Sequence, residues 1–148
     1  MNGNFNKVKT TIVIPTYNGS RKVERLLVSL AAQLNETREL IIVDDGSIDG
    51  SASRIDRLIK SNKFSKLIQQ SNGGRSAARN AGAREANGEF IVFIDDDIIV
   101  PQNFLNRIEQ VQKRYPYSWV TGSVVQDIPD LPYQDFLKFR SRLDYIPK

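Results

Sequence analysis

Hydrophobic positions change period in a regular cycle along this chain. Thr10-Thr11-Ile12-Val13-Ile14 is rich in β-branched residues and is closed by Pro15, so it reads as a first strand. Beyond Thr16-Tyr17-Asn18-Gly19-Ser20, the apolar residues Val23, Leu26, Leu27, Leu30 and Leu34 recur at helical spacing, with Ser20 placed to cap them. The cycle then repeats. Leu40 to Val43 predicts a second strand ending in a Gly46-Ser47 turn, and Ser51 to Ile59 a helix with Ile55, Leu58 and Ile59 on one face. Lys66 to Gln69 is a short third strand, Asn72-Gly73-Gly74 a loop, and alanine-rich Ser76 to Ala86 a helix. Phe90 to Ile94 predicts a fourth strand, central by its unbroken apolar run. Pro101 opens a helix carrying Phe104, Leu105, Ile108 and Val111, and Trp119 to Val125 gives a fifth strand. Strands alternating with single helices imply parallel pairing through right-handed crossovers, hence an α/β fold: a three-layer αβα sandwich around a mostly parallel sheet.

The tail departs from this cycle. Phe136, Phe139, Leu143 and Ile146 are spaced three, four and three apart, with Lys138, Arg140 and Arg142 between them, which predicts a basic amphipathic helix over about 133–146. It reads as a helix meant to pack on protein beyond Lys148, with peripheral contact at a membrane surface as the alternative. No internal boundary is expected in residues 1–148, which form a single domain.

Two strands run directly into carboxylates. Phe90 to Ile94 stops at Asp95-Asp96-Asp97, and Leu40 to Val43 stops at Asp44-Asp45-Gly46-Ser47. No core accepts three adjacent anions without partners, so these groups belong outside the carboxyl ends of the strands, where open α/β sheets bind ligands. If the chain stays extended there, Asp95 and Asp97 share a face and Asp96 points away, with the two side chains roughly 6 to 7 Å apart. One then takes a hard divalent ion directly and the other acts through water or a ribose. Thr16, Tyr17 and Asn18 emerge at the same edge, Tyr17 presenting a flat face to a nucleobase. Asn72-Gly73-Gly74-Arg75 places backbone amides and Arg75 or Arg79 near a phosphate or base. The Gly-Lys-Ser/Thr ending of a Walker loop is missing.

Composition narrows the chemistry. With no cysteine and no histidine among 148 residues, disulfides, thiolate metal sites and His-based triads are excluded, and carboxylates are left to do the metal and proton chemistry. The net charge of +4 is spread without a dense basic run, so a small phosphate ligand is expected and nucleic acid is not. No apolar stretch approaches the ~20 residues that span a bilayer, and Met1-Asn2-Gly3-Asn4 is not a signal peptide, so a cytoplasmic location is expected, with the inner face of the cell membrane as its margin.

Five segments taken together resemble the family 2 glycosyltransferases of the GT-A fold: Ile12-Val13-Ile14-Pro15-Thr16-Tyr17-Asn18, Ile42 to Ser47 with Asp49, Gly74 to Gly82 containing Ala78-Arg79-Asn80, Gly88-Glu89-Phe90, and Phe93 to Asp97 with Pro101. The resemblance covers about residues 9–125, the nucleotide-binding half. It implies that Pro15, Thr16 and Tyr17 hold the base and that Asp45 accepts from a ring N–H, which favours a UDP-sugar donor. It also implies that Arg75 and Arg79 line the nucleotide side together with Asp96, that Asp95 reaches the ribose or the metal's water shell, and that Asp97 coordinates Mg2+ or Mn2+ on the diphosphate. The implied reaction is inverting, metal-assisted transfer of a sugar to a sugar or glycolipid hydroxyl, as in polysaccharide biosynthesis. The family's general base lies in an acceptor-binding half that has no match here, so the chain is expected to be a truncated, donor-binding part of a longer enzyme. A non-catalytic nucleotide-sugar-binding module is the alternative, and a nucleotidyltransferase a weaker one.

Overall fold

The computed structural model describes residues 9–115. Four strands, β1 (Thr10–Thr16), β2 (Arg38–Asp44), β3 (Ser65–Gln69) and β4 (Phe90–Phe93), form one sheet in the order β3-β2-β1-β4, every pairing parallel. Between them run α1 (Ser20–Leu30), α2 (Ser51–Ile59) and α3 (Arg75–Arg84), and α4 (Phe104–Arg114) follows β4. The expected fifth strand and tail helix lie outside the described residues. Among the described residues no helix is long and apolar enough to cross a membrane.

Strand alternation divides the core into two layers. Ile12, Ile14, Leu40 and Ile42 pack with Val23, Leu26 and Leu30 of α1, Ile55 and Ile59 of α2, and Leu105 of α4. On the opposite face Val13, Ile41 and Val43 meet Ala78 and Ala81 of α3. The three-layer αβα arrangement is therefore in place. Its α3 layer sits close, because a Cβ at Gly82 would lie 2.3 Å from Val13 Cγ1 and 3.2 Å from Val43 Cγ2.

Several boundaries differ from the sequence expectation. Pro15 does not end β1, which runs on to Thr16 and pairs Pro15 with Val43. Parity explains the tolerance. Val13 O accepts from Ile94 N, so odd residues of β1 face β4, and the N–H that Pro15 lacks points to the side where Phe93 is already the last paired residue. The expected central strand β4 is the edge of the four described strands, and Phe93 is exposed. Ser20 is the first residue of α1 and not its cap; its N–H donates to Ser51 Oγ at 3.1 Å. Leu58 is exposed, and the buried face of α2 is Ser51, Ile55 and Ile59. Pro101 does not open α4, which starts three residues later, where buried Gln33 accepts from Leu105 N at 3.0 Å and donates to Pro101 O at 3.0 Å.

One ion pair fastens α4 to the sheet. Arg38 meets Glu109 through two bonds, Nε to Oε1 at 2.7 Å and a second guanidinium nitrogen to Oε2 at 2.8 Å, and Thr10 Oγ1 donates to Oε1 at 3.1 Å. Bonding to Arg38 holds the Glu109 carboxyl below its usual range, and the guanidinium is raised in turn. Glu109→Gln is expected to cost about 1–2 kcal/mol at neutral pH, less than a fully buried pair because both groups keep some water. A depressed folded pKa gives stability that is present above the unfolded value near 4.3 and is lost as pH falls through the folded one. Urea melts should therefore show the gap between parent and variant closing below about pH 4.

Candidate functional site

The carboxyl ends of β1, β2 and β4 and the segment entering α3 enclose a cleft of about 260 Å³ lined by Pro15, Thr16, Tyr17, Lys22, Asp45, Asn72, Gly74, Arg75, Ala78, Asp95, Asp96 and Asp97. Of the nine residues expected from the sequence to bind nucleotide or metal, all but Arg79 are in this lining.

Asp44 and Asp45 play different parts. Asp44 is buried and serves the turn, accepting from Ser47 N at 3.2 Å and from the Ser47 hydroxyl. Asp45 faces the cleft. Burial pushes its carboxyl up, but Gly73 N, Gln70 Nε2 and Gly74 N, at 2.9, 2.7 and 2.7 Å, outweigh that and hold it below the usual range. Two of the three donors fall on Oδ1 and one on Oδ2, so Oδ2 keeps an acceptor position for an incoming N–H. Gly46, with φ of +78°, makes the turn possible; a Cβ there would come 2.8 Å from Asn72 N.

The neighbouring loop is stitched to the same corner. Asn18, at φ of +50°, accepts from Ile48 N at 3.0 Å, and its own N–H donates to Ser47 Oγ at 2.8 Å. This pair of bonds fixes the chain around Tyr17, which is half exposed at the cleft wall.

The three adjacent acids do not alternate as an extended strand would. β4 stops at Phe93 and the chain turns, with Ile98 N donating to Asp95 O at 3.3 Å. All three carboxylates therefore reach the cleft. Asp96, expected to point away, accepts from Thr16 Oγ1 at 2.7 Å and lies 3.9 Å from Lys22 Nζ. Asp95 pairs with Arg79 at 2.5 Å, which is why Arg79 acts on the cleft from behind its wall while Arg75 lines it directly. Lys22, which also lines the cleft, is not among the residues singled out in the sequence. A signal did exist: a cation in a helix's first turn opposes the dipole and needs another reason to be there.

Among the described residues no group of three acids converges tightly enough to cage an ion by itself. The donor set still fits Mg2+ or Mn2+, which keep several waters and bind through one or two carboxylates plus phosphate oxygens.

The Glycosyl transferase family 2 model matches residues 11–141. Glycosyltransferase GlyG of Streptococcus pneumoniae is 33% identical over 106 residues, 70% of this chain and 35% of that protein. The cholesterol galactosyltransferase of Borreliella burgdorferi is 31% identical over 99 residues, 67% of this chain and 28% of that protein. Solved structures that resemble the fold include residues 1–349 of S. aureus TarS in complex with UDP, with TM-score 0.66, 27% identity and 80% of this chain on 38% of the other, and the mannosyltransferase PcManGT of Pyrobaculum calidifontis in complex with GDP-Man and Mn2+, with 0.67, 25%, 72% and 32%. The chain thus spans about a third of the length of these relatives.

Proposed function

Since the chain belongs to glycosyl transferase family 2, with an α/β sandwich of the GT-A type, we propose that its cleft binds the nucleoside diphosphate of a sugar donor, UDP-linked by preference. The observation that carries this reading is the convergence of three strand ends on one cleft holding Asp45, Asp95 and Asp97 beside Tyr17, Arg75 and Lys22. Tyr17 stacks on the base, whose ring N–H meets the remaining acceptor position of Asp45. Arg75 and Lys22 approach the phosphates, and Asp95, oriented by Arg79, reaches the ribose.

Asp97, with Asp95 beside it, would hold Mg2+ or Mn2+. Such an ion, when bound, offsets the charge that develops on a leaving diphosphate. The reaction proposed for the longer enzyme is inverting transfer to a sugar or glycolipid hydroxyl. The carboxylate that deprotonates that hydroxyl is assigned to the additional length of the relatives, and no described residue is given the role.

Calorimetric titration of UDP into the chain with Mn2+, with EDTA, and with GDP for comparison tests this reading. The expected outcome is metal-dependent UDP binding, at least about tenfold weaker in Asp97→Ala, a loss of roughly 1.4 kcal/mol. GDP binding as tight as UDP would overturn the base assignment, and binding indifferent to EDTA would overturn the metal.

A further inference from the structure

The three acids of the cleft are held in three different ways. Asp95 is bound to Arg79, while among the described residues Asp97 has no hydrogen bond or ion pair. Asp96 is the most enclosed of the bound two: its side chain is 15% exposed against 51% for Asp95. Its Oδ2 accepts a hydrogen bond from the hydroxyl of Thr16, itself 4% exposed at the end of β1, and its Oδ1 faces Lys22. The seat is shaped around this carboxylate, because a Cβ at Gly19 would overlap both Asp96 Oδ2 and Thr16 Oγ1.

We propose that Asp96 is a positioning residue, a strut that ties the acidic turn to the β1–α1 corner so that Asp97 is presented to the cleft with its oxygens uncommitted. The proposal rests on the donor-site reading for its purpose but not for its geometry. A carboxylate with both oxygens engaged and little exposure is poorly placed to take an ion, whereas a charge-assisted bond from a buried threonine fixes a turn well. Adjacent anions repel, so distributing two of them onto separate partners also keeps the third accessible.

The test follows the strut and the ligand separately. Hydrogen exchange of Ile98 N–H, which closes the turn, is measured in the parent, Thr16→Val, Thr16→Ser, Gly19→Ala, Asp96→Ala and the Thr16→Val/Asp96→Ala double variant. Exchange is expected to quicken about tenfold in Thr16→Val, Gly19→Ala and Asp96→Ala, with Thr16→Ser like the parent and the double variant no faster than Asp96→Ala alone. Affinity for UDP with Mn2+ should fall in the same variants and in the same order. Unchanged exchange in Thr16→Val and Gly19→Ala would overturn the strut. So would an affinity loss confined to Asp96→Ala, which would make that carboxylate a direct ligand. A parent that binds no UDP with Mn2+ would sink the donor-site reading, and the exchange rates would still decide the strut. Should Gly19→Ala fail to fold, the valine and serine variants at position 16 carry the comparison.

Discussion

Valine at position 82 is expected to bring the domain close to unfolding, and even Gly82→Ala is expected to destabilise it. The sign is what makes this informative. In the interior of an exposed helix, replacing glycine by alanine gains about 1 kcal/mol. At Gly82 the added Cβ would lie 2.3 Å from Val13 Cγ1 and 3.2 Å from Val43 Cγ2, and both valines are fully buried in the two central strands. Overpacking of that kind costs about 1–3 kcal/mol, which outweighs the helical gain for alanine and grows with the two further methyl groups of valine. The loss should read out in urea melts, and Val13→Ala should recover part of it by making room below α3. A Gly82→Ala protein more stable than its parent would show that α3 does not lie against the sheet as described.

The second large effect is expected at Asp45. Asp45→Asn keeps the shape but turns an amide toward one of the three donors that the carboxylate accepts, so donor faces donor. A lost charged hydrogen bond with a poorly satisfied partner costs about 1–3 kcal/mol. The loss should concentrate in the segment Gln70–Gly74, and with it the nucleotide pocket. The pH dependence identifies the cause. Because the folded carboxyl lies below its ordinary value near 3.9, its contribution is complete above that value and is lost as pH falls through the folded pKa. Parent and variant should therefore differ most near neutrality and converge in acid below about pH 4; a difference that persists there would assign the effect to packing.

Much of the fold was legible in the sequence because strands buried on both faces must be written as unbroken apolar runs, as Leu40 to Val43 is. The placing of Asp45, Asp95 and Asp97 at one edge followed from the same logic, since carboxylates cannot enter those layers. What was not legible depends on partners. Alternation predicts the orientation of Asp96 only while the chain stays extended, and after Phe93 it turns, bringing Asp96 to Thr16, eighty residues away in sequence. Arg79 was placed on the right helix, but its role behind the wall needs the position of Asp95. The alanine-rich character of α3 was read as helix propensity, whereas in the fold it also thins the helix against the sheet at Ala78, Ala81 and Gly82.

Pro15 has a consequence for where the cleft opens. Extending the β1–β4 register by two residues would set Pro15 beside Asp95, and the next rung would run from the nitrogen of residue 15 to Ile94 O. Proline has no proton to give, so the zipper between these strands has a built-in stop. A residue with an N–H at this position would let the pairing close one rung further and draw Asp95 and Asp96 into a straight strand. The width of the crevice is in this sense set by a missing hydrogen atom, and the acids are free to turn because the backbone beside them has nothing left to offer.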